Sequence, residues 1–207
     1  PSFLESMGLS RKRKTTSEVT YFTCLKMLSE TLAKMPIKYY QRTDKGIIEA
    51  EQTDTSKLLT KRPNTFMTPT VFWNTVEINR NHYGNAYVYI RKKFIRKKYG
   101  GEVKILDLWV MQSNCVQIVV DDAGIFAGKG RLWYVYTDPT SGSQYVFDTS
   151  EVMHFKTSFS FDGVTGLPVQ QILRDTISGA SASQRYMNSL YESGLTAKAT
   201  LEYTGEL

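Results

Sequence analysis

The amino-acid sequence predicts an α+β fold in which antiparallel hairpins are flanked by helices. Two observations lead to this prediction. Between residues 86 and 156, runs rich in β-branched and aromatic residues follow one another closely, separated by turns of Asp, Gly and Pro. On both sides of this region, the apolar residues recur at helical spacing instead. Short strands at such close spacing favour antiparallel pairing, because parallel strands need long crossover connections.

The first periodic segment predicts a helix and the residues before it an arm. Residues 1–16 have no clear period and end in a basic run, so we interpret them as a flexible or docking arm. Ser17 suits an N-cap, and Met35-Pro36 should close the helix. Its expected apolar face consists of Tyr21, Leu25, Leu28, Leu32 and Met35. A hairpin with strands at 37–42 and 47–50 should follow.

The plainest local signals lie in the middle of the chain, after a short helical piece at 56–61. Arg62-Pro63-Asn64 predicts a loop, because the residue before a proline avoids helical backbone angles. Thr68 suits the N-cap of a helix that begins with Pro69, and Gly84 suits its left-handed end. The apolar face of this helix comprises Phe72, Trp73, Val76 and Tyr83.

The β-rich region should contain six strands. They are expected at 86–90, 103–110, 115–120, 131–137, 144–147 and 152–156, with turns at 121–124 and 138–142. Two basic clusters precede Gly100-Gly101, which predicts an extended hairpin arm at 91–101. The basic residues of this arm are Arg91, Lys92, Lys93, Arg96, Lys97 and Lys98.

A last helix should follow a glycine-bearing loop at 162–166, beginning with Pro168 and reaching Tyr191. Its middle holds small residues, among them Gly179, Ala180, Ala182 and Ser183. A helical glycine costs ~1 kcal/mol relative to alanine, a cost that close packing between helices of neighbouring subunits would offset. The alternative is a surface helix with a weak centre. Another strand is expected to begin at 200–203.

The expected domain organisation has three parts. They are the arm at 1–16, an α+β domain at 17–160, and a loop with a long helix at 161–207. A hydrophobic fraction of 41% and a charged fraction of 22% are typical of a soluble globular protein. The sequence shows no secretory signal and no run near the ~20 apolar residues of a membrane span. Because the chain begins at Pro1 and ends abruptly at Leu207, we expect it to be part of a longer protein.

The charge pattern leaves two interpretations open. Lys and Arg outnumber Asp and Glu by 26 to 20, a net charge of +6, and the excess is concentrated at 11–14 and in the arm. Basic clusters attract phosphate. They are equally typical of a solvated hairpin tip. Cys24 and Cys115 lack metal-ligand spacing and are expected to be reduced thiols, as in a reducing cytoplasm.

The sequence contains no pattern that indicates catalysis, a cofactor or a bound metal. It has no phosphate-binding loop, dinucleotide-binding glycine pattern, zinc-protease motif or serine-hydrolase motif. His82 and His154 are the only histidines, and both suit structural roles. His82 falls at a helix C-terminus, where the helix dipole favours a cationic ring. His154 would reach Asp148 or Glu151 only through a turn. A β-rich basic domain of this kind favours binding or assembly over catalysis.

Five sequence motifs, in order across residues 18–202, resemble the portal proteins of tailed bacteriophages. They are YFTCLKMLSETLAKMPIKYY, KLLTKRPNTFMTPTVFW, HYGNAYVYI, LDLWVM, and SEVMHFK followed by DGVTGLPVQQIL. One departure stands out, because Met111-Gln112-Ser113 replaces a turn that usually contains proline in that family.

The resemblance implies a structural role without enzymatic activity or cofactor. Portal subunits form closed rings of about twelve copies by one repeated heterologous contact. The ring occupies one capsid vertex, conducts double-stranded DNA during packaging and ejection, and docks terminase, capsid or scaffold, and head-tail adaptor proteins. This chain would supply the wing domain and the start of the stem. We therefore expect a virion protein, assembled in the host bacterial cytoplasm, without membrane contact.

The resemblance also suggests roles for two residue groups. The basic arm would contact DNA or the capsid, and the small-residue helix would pack between subunits. A competing hypothesis is a basic nucleic-acid-binding module whose arm grips phosphates, with binding that falls steeply with salt. A third is a hydrolase that uses His154 with Asp148 or Glu151.

Overall fold

The computed structural model describes residues 16–96, 100–122 and 130–194, and the single positions 202 and 205. Contacts between Cα atoms divide the chain into two compact units. The larger unit is Cys24–Ile172, and the second includes the described residues before and after it. The predicted arm at 1–16, except Thr16, lies outside the described residues. So do Lys97, Lys98, half of the expected turn at 121–124 and most of the expected strand at 200–203.

The described elements are α+β, as predicted, with antiparallel strands between helices. The helices are α1 (Thr16–Ala33), α2 (Asp54–Thr60), α3 (Pro69–Tyr83), α4 (Val169–Ile172) and α5 (Arg174–Glu192). The strands are β1 (Tyr40–Thr43), β2 (Gly46–Glu49), β3 (Asn85–Arg96), β4 (Gly101–Met111), β5 (Val116–Asp121), β6 (Arg131–Thr137), β7 (Gln144–Asp148) and β8 (Val152–Lys156). Single 3₁₀ turns at Ser113–Cys115 and Thr149–Glu151 precede β5 and β8.

Helix α3 forms where the sequence predicts it. The Thr68 side chain accepts a hydrogen bond from the Val71 N–H, Pro69 opens the helix, and Gly84 ends it at φ +77°. Glycine adopts this left-handed backbone conformation at little energetic cost, because it has no Cβ. Two of the predicted apolar residues, Phe72 and Val76, are buried.

Three layers make up the larger unit. Strands β4, β3 and β8 form one antiparallel sheet in that spatial order, and β5, β6 and β7 form another. Alternate residues of β3 point to opposite faces, so Ala86 and Val88 pack on Phe72 of α3. Tyr87 lies on the other face and packs on Tyr134 of the second sheet. Strand β3 therefore has a helix on one side and a sheet on the other.

Strand β3 is longer than the sequence predicts, because it continues through the predicted arm. β3 continues to Arg96, and its pairing with β4 runs to Gly101, with a bulge between Arg91 and Lys92. Strand β8 pairs only with residues 85–89 of β3. Past Tyr89, β3 is therefore paired on one side only, and the arm continues as a two-stranded ribbon. The β-formers Phe94 and Ile95 allow this extension, although the basic residues on either side mask it in the sequence.

The expected apolar face of α1 is wrong. Leu25 is buried, but Leu28 and Met35 are 60% and 61% exposed. The buried stripe is instead Leu25, Ser29 and Ala33, which recur every four residues. The expected N-cap is also wrong, because Ser17 lies inside α1.

The expected long helix at the end of the chain is interrupted. α4 is one turn, and Leu173 leaves helical geometry at φ −91° and ψ 3° before α5 begins. Pro168 precedes α4, and its carbonyl accepts hydrogen bonds from Gln171 and Ile172. Every residue of α5 is at least partly exposed. A continuous stem helix from Pro168 to Tyr191 is therefore not confirmed.

Candidate interaction surfaces

The predicted basic arm carries fewer free cations than its sequence suggests. The Arg91 guanidinium donates to both carboxylate oxygens of Asp107, at 2.8 Å for Nε–Oδ1. The Lys92 ammonium donates to the carbonyl of Ser150. Lys104 lies opposite Lys93 in the register, and it pairs with Asp54 at 3.6 Å. Arg91 and Lys92, two of the residues predicted to contact DNA or the capsid, are therefore bound by groups of their own chain.

The exposed part of the arm combines cations with apolar groups. Lys93 and Arg96 are exposed, and no described residue forms an ion pair with either. Phe94 and Val103 are directly opposite each other and are 65% and 59% exposed. A Cβ at Gly101 would overlap the Phe94 ring, so the absence of a side chain there makes room for the aromatic ring.

A second exposed surface is the outer face of the β5–β6–β7 sheet. Strand alternation turns Tyr134 toward the core and its neighbours Trp133 and Val135 outward. Val119 and Val146, which are opposite these residues, are 46% and 60% exposed. These four apolar residues line a groove of about 530 Å³, together with Val120, Asp121 and Asp122. We call this groove the β5–β7 groove.

The β5–β7 groove holds an unsatisfied donor. The Trp133 indole N–H is buried and has no hydrogen-bond partner within the described part of the chain. The Arg131 guanidinium lies 5.1 Å from the centre of the Trp133 ring and donates to Asp148 at 2.8 Å. This pairing lowers the pKa of Asp148 to about 2, because the carboxylate accepts from Arg131. Asp122 is exposed at one end of the groove, next to the buried Asp121.

A glycine joint, formed by Gly84, Asn85 and Gly166, fastens the loop before α4 to the start of β3. The Asn85 amide accepts from the Gly166 N–H at 2.8 Å and donates to the Gly166 carbonyl at 3.0 Å. The Gly84 carbonyl accepts from Thr157 N–H at 2.9 Å. The motif HYGNAYVYI supplies Gly84 and Asn85 to the joint, and DGVTGLP supplies Gly166. The two motifs therefore meet there. Sequence reasoning missed Asn85, because its partner lies 81 residues away.

Asn64 plays a similar part at the other edge of the sheet. Its side chain donates to the Leu108 carbonyl at 2.8 Å and accepts from the backbone N–H groups of Phe66 and Met67. Pro63 is fully buried beside it, and the Pro63 carbonyl accepts from the Leu108 N–H. The predicted Arg-Pro-Asn loop thus covers part of the β4 edge and satisfies its backbone groups.

The hydrolase hypothesis has no geometric support at His154. Its Nε2 lies 2.9 Å from Asn85 Oδ1, and its Nδ1 lies 3.4 Å from the Tyr134 hydroxyl. Because the Gly166 backbone fixes the Asn85 oxygen as the acceptor, His154 Nε2 carries the proton and Nδ1 accepts from Tyr134. Burial, with the nearby Lys156 charge, lowers the His154 pKa to about 4. Asp148 instead binds Arg131, and Glu151 caps the turn before β8.

His82 is held in its neutral form despite its place at a helix C-terminus. Its side chain is buried at the end of α3, and burial lowers its pKa below the usual value. Loss of solvation thus outweighs the dipole of the helix terminus.

The small residues of α5 stay exposed in the chain as described. Gly179, Ala180, Ala182 and Ser183 are all exposed, and a Cβ added at Gly179 would meet no heavy atom within 4 Å. Their proposed role in packing between subunits remains a prediction.

The described ranges contain neither a metal site nor a membrane-spanning helix. No cluster of three or more His, Cys, Asp or Glu side chains there is arranged to hold a metal ion. No described helix combines the length and hydrophobicity of a membrane span. The three-layer fold, the basic ribbon and the apolar groove define a protein built for binding and assembly.

Comparison with known proteins specifies the family. The family model described as phage portal protein matches residues 19–207. The chain belongs to the phage portal protein family, a family of structural proteins rather than enzymes. No match is found among curated protein sequences.

Solved structures share the fold. One match, from a structure titled "Neck of empty GTA particle computed with C6 symmetry", has a TM-score of 0.65 and 19% identity, covering 97% of this chain and 48% of that chain. Another, titled "Neck of native GTA particle computed with C12 symmetry", has a TM-score of 0.60 and 18% identity, covering 86% and 42%. A third comes from "Virion of native gene transfer agent (GTA) particle", with the same scores. The chain therefore spans less than half the length of the solved chains it matches.

Proposed function

We propose that the protein is a subunit of a portal ring at one capsid vertex, through which double-stranded DNA enters and leaves the particle. The family match over residues 19–207 is the observation that carries this proposal. The matched structures support it, because two of them are necks of particles and one of these was computed with C12 symmetry. The mechanism is passive, with the ring acting as a conduit and as a docking platform for terminase, capsid or scaffold, and head-tail adaptor proteins.

The proposed location follows from the proposed role. A portal subunit resides in the virion and assembles in the cytoplasm of the bacterial host. The matched chains come from virion and neck structures, which supports the first part of this statement.

The mass of the full-length protein in solution tests the ring. We expect mass photometry to give a closed species of about twelve chains, and negatively stained images to show a central hole. A stable monomer that binds free DNA tightly would contradict the ring and favour the nucleic-acid-binding module. Exposed Lys93 and Arg96 are the observation that keeps this second candidate in view. Its affinity for DNA would fall steeply between low and physiological salt.

A further inference from the structure

The arm carries an exposed apolar pair, Phe94 and Val103, with the Arg96 cation on the same face. Residues two apart on a strand share a face, so Arg96 lies on the same side of the ribbon as Phe94. Phe94 and its opposite residue Val103 remain 65% and 59% exposed. A contiguous apolar pair at the end of a projecting ribbon is unfavourable in water, and this favours a partner that covers it.

The β5–β7 groove has the complementary character. Its walls are Val119, Trp133, Val135 and Val146, and the exposed carboxylate of Asp122 lies at its acidic end. A volume of about 530 Å³ is ample for one aromatic side chain and its neighbours. The high exposure of Phe94 means that the arm does not fill the groove of its own chain.

We propose that the arm of one copy docks in the β5–β7 groove of the next copy around the ring. The inference rests on the proposed ring, and it names the contact that closes it. Phe94 and Val103 would lie against the valines of the groove, and Arg96 would lie near Asp122. Two different and complementary surfaces on one chain are what a head-to-tail ring requires. Two arms in contact would bring like charges together, and so would two grooves. The charges therefore also disfavour pairing of either surface with itself.

The apolar content of the arm favours a protein partner over DNA. Phosphate binding uses cations, and two arm cations are already held by Asp107 and by the Ser150 carbonyl. An exposed Phe94–Val103 pair adds nothing to a phosphate contact. An apolar groove with an acidic end would repel DNA.

Photocrosslinking tests the contact directly. A benzophenone side chain would replace Phe94 in the full-length protein, and ¹⁴N- and ¹⁵N-labelled subunits would be assembled together. We expect mixed-isotope crosslinks from position 94 to the peptide containing Val119 or the one containing Trp133. The control places the benzophenone at Phe161, which is 95% exposed and lies in the loop between β8 and α4. That control should give no crosslink to the groove.

Charge reversal supplies an independent readout. Arg96→Glu and Asp122→Lys should each raise the protein concentration needed for half-assembly about tenfold, and the double variant should recover most of the loss. Lys45→Glu, an exposed cation in the β1–β2 turn, is the matched control and should leave assembly unchanged.

The outcomes separate the two proposals. Rings whose position 94 crosslinks to DNA, to another surface or to nothing contradict the docking contact and leave the ring intact. Single reversals that are additive in the double variant contradict it as well. Wild-type protein that stays monomeric by mass photometry contradicts both the contact and the ring.

Discussion

Gly84 shows how one residue couples local backbone geometry to a distant contact. Its φ of +77° favours glycine, and a Cβ there would approach the backbone of Leu167 and Pro168 to 2.7 Å. The sequence predicts the left-handed backbone, because Gly84 follows a segment with helical periodicity. The close approach of the two backbones depends on a loop 82 positions further along the chain.

We expect Gly84→Ala to destabilise the protein by at least about 3 kcal/mol, because strained backbone and steric overlap both contribute. Gly142→Ala is the matched control, since Gly142 has φ +70° but no heavy atom within 4 Å of an added Cβ. Its cost should be about 1 kcal/mol. Urea denaturation of both variants measures the difference, and equal losses would show that the close approach at Gly84 is unimportant.

His154 predicts a pH dependence of stability. Its pKa is lowered to about 4 in the folded protein, chiefly by burial, against about 6.5 in an unfolded chain. Between these values the unfolded state binds more protons, so stability should fall as pH falls from about 6.5 to about 4. The contribution of neutral His154 is fully present above pH 6.5. His82 acts in the same direction.

His154→Gln should make this pH dependence shallower, because glutamine does not titrate. Denaturant midpoints at several pH values between 4 and 7 measure the effect, and the variant and wild type should converge toward pH 4. An NMR titration that gives His154 an ordinary pKa would contradict the buried neutral state.

At the scale of elements, α5 differs from α1, α2 and α3, each of which contributes buried residues. It contributes no buried residue, and its small residues face solvent. A helix whose Gly and Ser positions give up intrinsic stability gains from a partner that approaches its backbone closely. Its sequence is therefore better explained by assembly than by the fold of the single chain.

Ala180→Trp should prevent ring formation while leaving the stability of the larger unit unchanged, because the bulky side chain blocks close helix packing. Mass photometry and urea denaturation on the same samples separate the two effects. Arg185→Trp is the control, since it introduces the same side chain at another exposed position of α5. Normal rings from Ala180→Trp would contradict the packing role.

At the scale of the whole molecule, the layers predict a gradient of local stability. β3 contributes Ala86, Tyr87 and Val88 to two cores and is paired on both sides at 87–89. The same strand is exposed at 93–96 and is paired on one side there. One strand thus contains both the centre of the fold and part of its exposed surface.

Hydrogen exchange should follow that gradient. We expect amides of residues 86–89 to exchange last, near the rate of global unfolding, and those of 92–96 and α5 to exchange early. Assembly should slow exchange in the arm and α5 if both are subunit contacts. Equal protection along β3 in the unassembled chain would contradict the layered picture.

The sequence alone determined the features that depend on neighbouring residues. The Thr68 cap, the Gly84 stop, β6 and the antiparallel hairpins all follow from local energetics, and the five ordered motifs identified the family. Only the tertiary structure decided which α1 face is buried, where the last helix breaks and how far β3 extends. It also showed that Asn85 holds His154 and Gly166 together. These features depend on contacts between residues far apart in the chain, whose energies a local pattern does not encode.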